Sequence, residues 1–222
     1  MGNVVYFRGL LSNPFNISNT VEEIIYNDNN EAIGSVNMMY QKGKLLYSEF
    51  ESMNSNILEL PYGSDGKFCM LVIFPYPGTE PSVVYRKFEK TTFRSIFMKL
   101  ENDLNEKGLQ EVVVKMPRFS LRGSYILNKP LNEMGVYDAF EPDYARFQHI
   151  GREALYISSV EHKADIVFGE TETVALAATP GYFEHQNASY LKAQQPFLFF
   201  LMEKPTASII FGGIYSRHRS VN

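Results

Sequence analysis

An α+β fold built around a large, mostly antiparallel sheet is predicted by two features of the sequence. Short apolar or alternating runs separated by Gly, Asn, Ser and Asp recur along most of the chain, and a single segment carries a strong helical period. With 222 residues, 45% hydrophobic and 14% aromatic content, the chain can bury a core as one domain or a large part of one.

The elements follow in order. Ser35 to Ser52, Ile57 to Pro61 and Lys67 to Pro75 read as an antiparallel meander, and KFCMLVIFP, apolar on both faces, is its central strand. Ser82 to Phe88 is a short helix. The strong helix begins at Thr91 or Thr92: threonine caps it, Phe93, Ile96, Phe97, Leu100 and Leu104 recur at helical spacing, and Gly108 follows the last turn. EVVVKMPRFSLRGSYIL (Glu111–Leu127) alternates for long enough to be one or two strands. Leu131 to Gly135 reads as a brief helix closed by glycine. ALYISSVEHKADIVFG (Ala154–Gly169) alternates again, and PFLFFLMEKPTASIIFGGIYS (Pro196–Ser216) is a core hairpin turning at Lys204-Pro205-Thr206. Gly212 and Gly213 are expected to admit the close approach of another backbone.

One stretch serves neither core nor catalysis: ETETVALAATPG, from Glu170 to Gly181. Propensity alone favours an Ala-rich surface helix. The threonines, Val174 and the alternation favour an extended segment, which places Thr171, Thr173, Ala175, Ala177 and Thr179 on one small-residue face. A strand so trimmed fits insertion into a tight space in a sheet, and Pro180-Gly181 breaks it.

Several function classes are excluded by composition and motif. A net charge of -4 with Lys and Arg scattered gives no basic stripe for nucleic acid. No apolar run approaches the ~18 residues of a spanning helix, and MGNVVYFRGLL lacks the charged-then-apolar order of a signal peptide, so a soluble chain without a membrane partner is expected. The lone Cys69 rules out an intrachain disulfide framework. No G-x-S-x-G elbow occurs, and His149, His162, His185 and His218 have no metal-ligand spacing, so no catalytic residue, metal or cofactor is expected. Asn-x-Ser acceptor patterns at Asn16 and Asn187 tilt the expected location to the extracellular side.

At these residues the chain resembles the serpins, protease inhibitors whose exposed reactive loop inserts into their central sheet. The blocks that carry the resemblance span the chain in order: VYFRG with Pro14-Phe15 and Thr20, Met38-Met39, LELPYG, VIFPYPG, MPRFSL, LNEMGVYDAF, VEHKA, the hinge just quoted, QQPFLFFL and IIFGGI. The resemblance implies a single serpin domain of which residues 1–222 form the C-terminal portion, with the N-terminal helices and part of the central sheet absent. It implies a reactive-centre loop over about 170–192, with hinge residues Glu170, Glu172, Thr173, Ala175, Ala177, Ala178 and Thr179. The scissile bond is expected at His185, Gln186 and Asn187. Ala154–Gly169 would line one side of the insertion gap and the strand ending at Tyr6-Phe7 the other. Glu170 beside Arg118, and Asn3 beside His162 as buried polar groups beneath the gap, would fasten the sheet.

The implied function is that of a suicide substrate, not an enzyme. The partner is a serine or cysteine protease, not a trypsin-like one, since Phe183 to Asn187 offers neither Arg nor Lys to an acidic specificity pocket. A monomer is expected at full length. The chain departs from the family with Leu10-Leu11 in place of the usual Trp, Glu172 in place of Gly and Val174 in place of Glu. Two alternatives follow: Glu172 and Val174 favour a non-inhibitory carrier or chaperone-like member, and the absent N-terminal half suggests an inactive truncated fragment.

Overall fold

The computed structural model describes residues 1–7, 9–26, 31–151, 154–170, 189–192 and 196–216. The chain divides into two compact units, residues 1–8 with 120–167 and residues 9–119 with 168–222.

The first unit carries a three-stranded sheet ordered β1-β8-β7, with β1 at Gly2–Tyr6, β7 at Phe119–Ile126 and β8 at Glu161–Phe168. Strands β1 and β8 are parallel, in register from Gly2↔Glu161 to Tyr6↔Asp165. The strand expected from Ala154 begins only at Glu161, because the backbone before it bonds outside any ladder. Ile157 N–H donates to the Ala139 carbonyl at 2.9 Å, and Val160 N–H to Asn128 Oδ1 at 2.9 Å. The brief helix, α3, runs over Asn128–Glu133 and so starts earlier than expected. Pro130 lies in its first turn, where a missing N–H costs nothing. Gly135, at φ +93, follows the helix.

The second unit is an eight-stranded sheet ordered β11-β10-β5-β4-β3-β6-β9, with β2 also paired to β3. The meander is present as β3 (Ala32–Phe50), β4 (Ser55–Tyr62) and β5 (Phe68–Pro75). Strand β3 changes partners along its length: β2 (Val21–Tyr26) up to Met38, β6 (Gln110–Pro117) to Leu45, then β4. Strand β5 is central, between β4 and β10 (Phe197–Glu203), and its apolar run is fully buried from Cys69 to Ile73. β9 (Ser189–Lys192) pairs in parallel with β6. Neither β2 nor β9 is evident from the sequence pattern.

Helix α1 covers Pro81–Lys87 and α2 covers Phe93–Lys107. The Thr92 hydroxyl accepts from Ser95 N–H at 3.2 Å, and Gly108, at φ +69, closes the other end. Ile96 and Leu100 of α2 join Phe50, Ile57, Leu71 and Phe200 in the core. The hairpin of β10 with β11 (Ser208–Tyr215) is as expected, but its glycines admit rings, not a backbone. A Cβ at Gly212 would lie 2.8 Å from a Phe200 ring carbon, and one at Gly213 2.8 Å from Phe199 Cζ. On adjacent strands, cross-strand side chains cover these positions.

Candidate functional site

The site is built on Glu170, two residues beyond the end of β8. Three phenylalanines set its position. Phe168, nearly fully buried, stacks on Phe119 with ring centroids 5.3 Å apart and meets Phe15 edge-on at 6.1 Å. Arg118 precedes Phe119 directly, so the packing that orders the rings also brings the guanidinium to the carboxylate. Its own N–H donates to the Asn37 carbonyl at 2.8 Å, which prolongs the bonding of β6 to β3. Gly169 leaves room for it: a Cβ there would lie 3.2 Å from Arg118 Cγ.

Arg118 Nε then donates to Glu170 Oε2 at 2.7 Å, and the Thr20 hydroxyl donates to Oε1. Thr20 is itself fixed, since its N–H closes a 3₁₀ turn over Ile17–Asn19. The Glu170 side chain is 2% exposed and that of Arg118 42%. Burial works to raise the Glu170 carboxyl, but the hydrogen bonds from Arg118 and Thr20 outweigh it and hold it below the ordinary value. The bond to Glu170 in turn raises the Arg118 guanidinium. The arrangement is a charge-assisted clamp with no nucleophile or base in it.

Nineteen residues later the chain is held again, as β9, where Ser189 pairs with Val112 and Leu191 is buried. The hinge residues Glu172, Thr173, Ala175, Ala177, Ala178 and Thr179, and the bond residues His185, Gln186 and Asn187, lie outside the described residues. Asn3 and His162 are Cα partners across β1 and β8. Asn3 is exposed and His162 half-buried, instead of both being buried, because β1 is the edge of its sheet. Thr20 as a second donor to Glu170 is not foreseen from sequence, and no local signal marks it. Among the described residues no group of His, Cys, Asp and Glu could hold a metal, and no helix is long and apolar enough to cross a membrane. Cys69 is buried in the core, and burial pushes its thiol far up, so it is inert as a nucleophile.

A family model described as serpin (serine protease inhibitor) matches residues 1–217. The chain belongs to the serpin family. By that description serpins are inhibitors of proteases, not enzymes. Human antithrombin-III is 35% identical over 218 residues, which are 95% of this chain and 45% of that protein. Rat leukocyte elastase inhibitor A is 31% identical over 217 residues, 95% of this chain and 56% of that protein. A serpin from the trematode Schistosoma haematobium shares the fold with a TM-score of 0.76 at 22% identity, over 96% of this chain and 55% of that one. Serine protease inhibitor (Serpin)-12 of Manduca sexta gives 0.75 at 19%, over 98% and 56%. This serpin chain spans about half the length of the relatives it matches.

Proposed function

We propose that the complete protein inhibits a serine or cysteine protease as a suicide substrate, with residues of about 170–192 as its reactive loop. The observation that carries this reading is the clamp on Glu170, which fixes the start of a segment trimmed to small residues at alternate positions. The parallel pair of β1 and β8, joined over five register positions, supplies the edges between which that segment would enter. Strand addition satisfies a further row of backbone donors and acceptors, so insertion after cleavage releases free energy. The protease nucleophile attacks the carbonyl carbon of His185 or Gln186 and the peptide bond to the next residue breaks. The acyl-enzyme is carried off with the inserting loop and distorted before water can hydrolyse it. No residue of the inhibitor is catalytic. The polar and aromatic residues around the bond, with no Arg or Lys, fit a protease without trypsin-like specificity.

The test uses the complete domain, this chain joined to the N-terminal portion that its relatives possess. Wild type should form a covalent complex stable in denaturing gels with at least one member of a serine and cysteine protease panel. Thr173→Arg should be cleaved without forming complex, because a guanidinium entering the sheet loses its hydration without gaining a partner. Glu172→Arg, on the other face, should change complex yield far less. Equal yields from wild type and Thr173→Arg would sink the insertion reading. Glu172 and Val174, where serpins usually carry Gly and Glu, favour a second reading as a non-inhibitory member. Loop cleavage that brings no gain in heat stability would establish it. An extracellular setting is tested at Asn16, whose Oδ1 accepts from Ser18 N–H at 2.9 Å at the exposed turn. Protein from its natural source should lose glycan mass at Asn16 on treatment with an N-glycosidase, and an unmodified Asn16 counts against that setting.

A further inference from the structure

The ridge that joins α1 to α2 concentrates positive charge. From Tyr85 to Met98 the chain carries Arg86, Lys87, Lys90 and Arg94 against one acid, Glu89, in a sequence of net charge -4. All four cations are exposed. No carboxylate among the described residues forms an ion pair with any of them. The ridge is held in place from beneath. Phe88 and Phe93 lie 5.0 Å apart by ring centroid, and both pack on Phe200, at 5.4 and 4.9 Å.

Helix electrostatics account for half of this charge. Arg86 and Lys87 sit in the last turn of α1, where the macrodipole favours cations. Arg94 sits in the first turn of α2, which holds no acidic residue and where the macrodipole opposes a cation. A charge kept against local preference is a mark of function, because an anionic partner would offset its cost. Two apolar side chains flank the cations: Tyr85 is 59% exposed, and Met98, one turn beyond Arg94, is 60% exposed. Arg, Tyr and Met are the types enriched where proteins meet, whereas a sulfated or phosphorylated polymer gains little from a thioether. We propose that this ridge docks an acidic segment of a partner protein. Its carboxylates meet Arg86, Lys90 and Arg94, and an apolar side chain settles on Tyr85 and Met98.

The complete domain, as in the inhibition test, is titrated, at low and at physiological salt, into a fluorescent peptide that alternates Glu with Leu. A Lys–Leu peptide and a heparin fragment of equal length serve as comparators. The Glu–Leu peptide should bind, about tenfold or more weakly to Lys90→Ser with Arg94→Ser, and several-fold more weakly to Tyr85→Ser with Met98→Ser. Arg94→Asp should lose binding while its thermal midpoint rises by about 1–3 °C, an outcome that a merely structural arginine would not give. The proposal is overturned by no peptide binding by wild type, by binding unchanged in the charge variants, or by a fall in the midpoint of Arg94→Asp. Tighter binding of the heparin fragment that ignores Tyr85 and Met98 also overturns it, in favour of a general polyanion site.

Discussion

Glu170 is held by two donors that lie far from it in sequence, Thr20 and Arg118, and almost none of its side chain reaches water. Arg118→Ala should therefore cost about 1–3 kcal/mol, since a buried acceptor is left without its charged partner. Arg118 is partly exposed, so the loss falls short of that for a fully buried pair. Urea denaturation reads it, and Arg118→Lys should recover only part, for want of the guanidinium fork. The same carboxyl titrates below its ordinary value in the native state. Its contribution to stability is complete above the ordinary glutamate value, about 4.3. It is lost as pH falls through the lower native value. Glu170→Gln should remove that part of the acid dependence, and identical acid profiles in the two proteins would contradict the clamp. At Gly213 the constraint is steric. A Cβ there meets the buried Phe199 ring at 2.8 Å, so Gly213→Ala should cost about 1–3 kcal/mol by overpacking. Phe199→Leu should relieve much of that cost when combined with it.

Among the elements, α2 depends on its first turn. Thr92 accepts from Ser95 N–H, and Thr92→Ala should cost about 1 kcal/mol, read as an equal fall in stability by urea and by heat. Thr92→Ser should cost little. This helix was legible because cap, apolar period and closing glycine agree. Strand β2 was not, for a physical reason. VEEIIY lacks alternation, and Val21 and Ile24 are both exposed, so neither face had to become apolar. Strand β9, only four residues long, is defined by its parallel bonds to β6, and no local pattern announces them. Strand β8 shows the opposite error: alternation continues upstream of Glu161, but the backbone there bonds to the 3₁₀ turn at Ala139 and to Asn128.

For the whole molecule, the unit formed by residues 1–8 and 120–167 leaves a set of large apolar side chains in water. Val4, Tyr6, Ile126, Met134, Ile150 and Val167 are all more than half exposed. Among the described residues, strand β1 is at the edge of its sheet, the position where a strand leaves a row of backbone groups open. Expressed by itself, the chain should bind a hydrophobic dye at neutral pH and self-associate as concentration rises. A monodisperse monomer with one sharp thermal transition and no dye binding would show that this surface is tolerated. The unit of residues 9–119 and 168–222 should resist better, because β5 is buried on both faces between β4 and β10.

The sequence by itself determined the element types wherever period and caps coincide: the meander, α2 and the terminal hairpin. Its ordered blocks also marked the family, and through that resemblance the nearness of Arg118 to Glu170. The tertiary structure alone decided that Thr20 completes the clamp, that Gly169 makes room for it, that Phe199 and Phe200 fill the space over Gly213 and Gly212, and that Asn3 lies exposed at an edge. The division has a physical cause. Periodicity records only whether a residue faces apolar or polar surroundings, whereas a partner 150 residues away is selected by the packing of rings such as Phe15, Phe119 and Phe168, to which local pattern is blind.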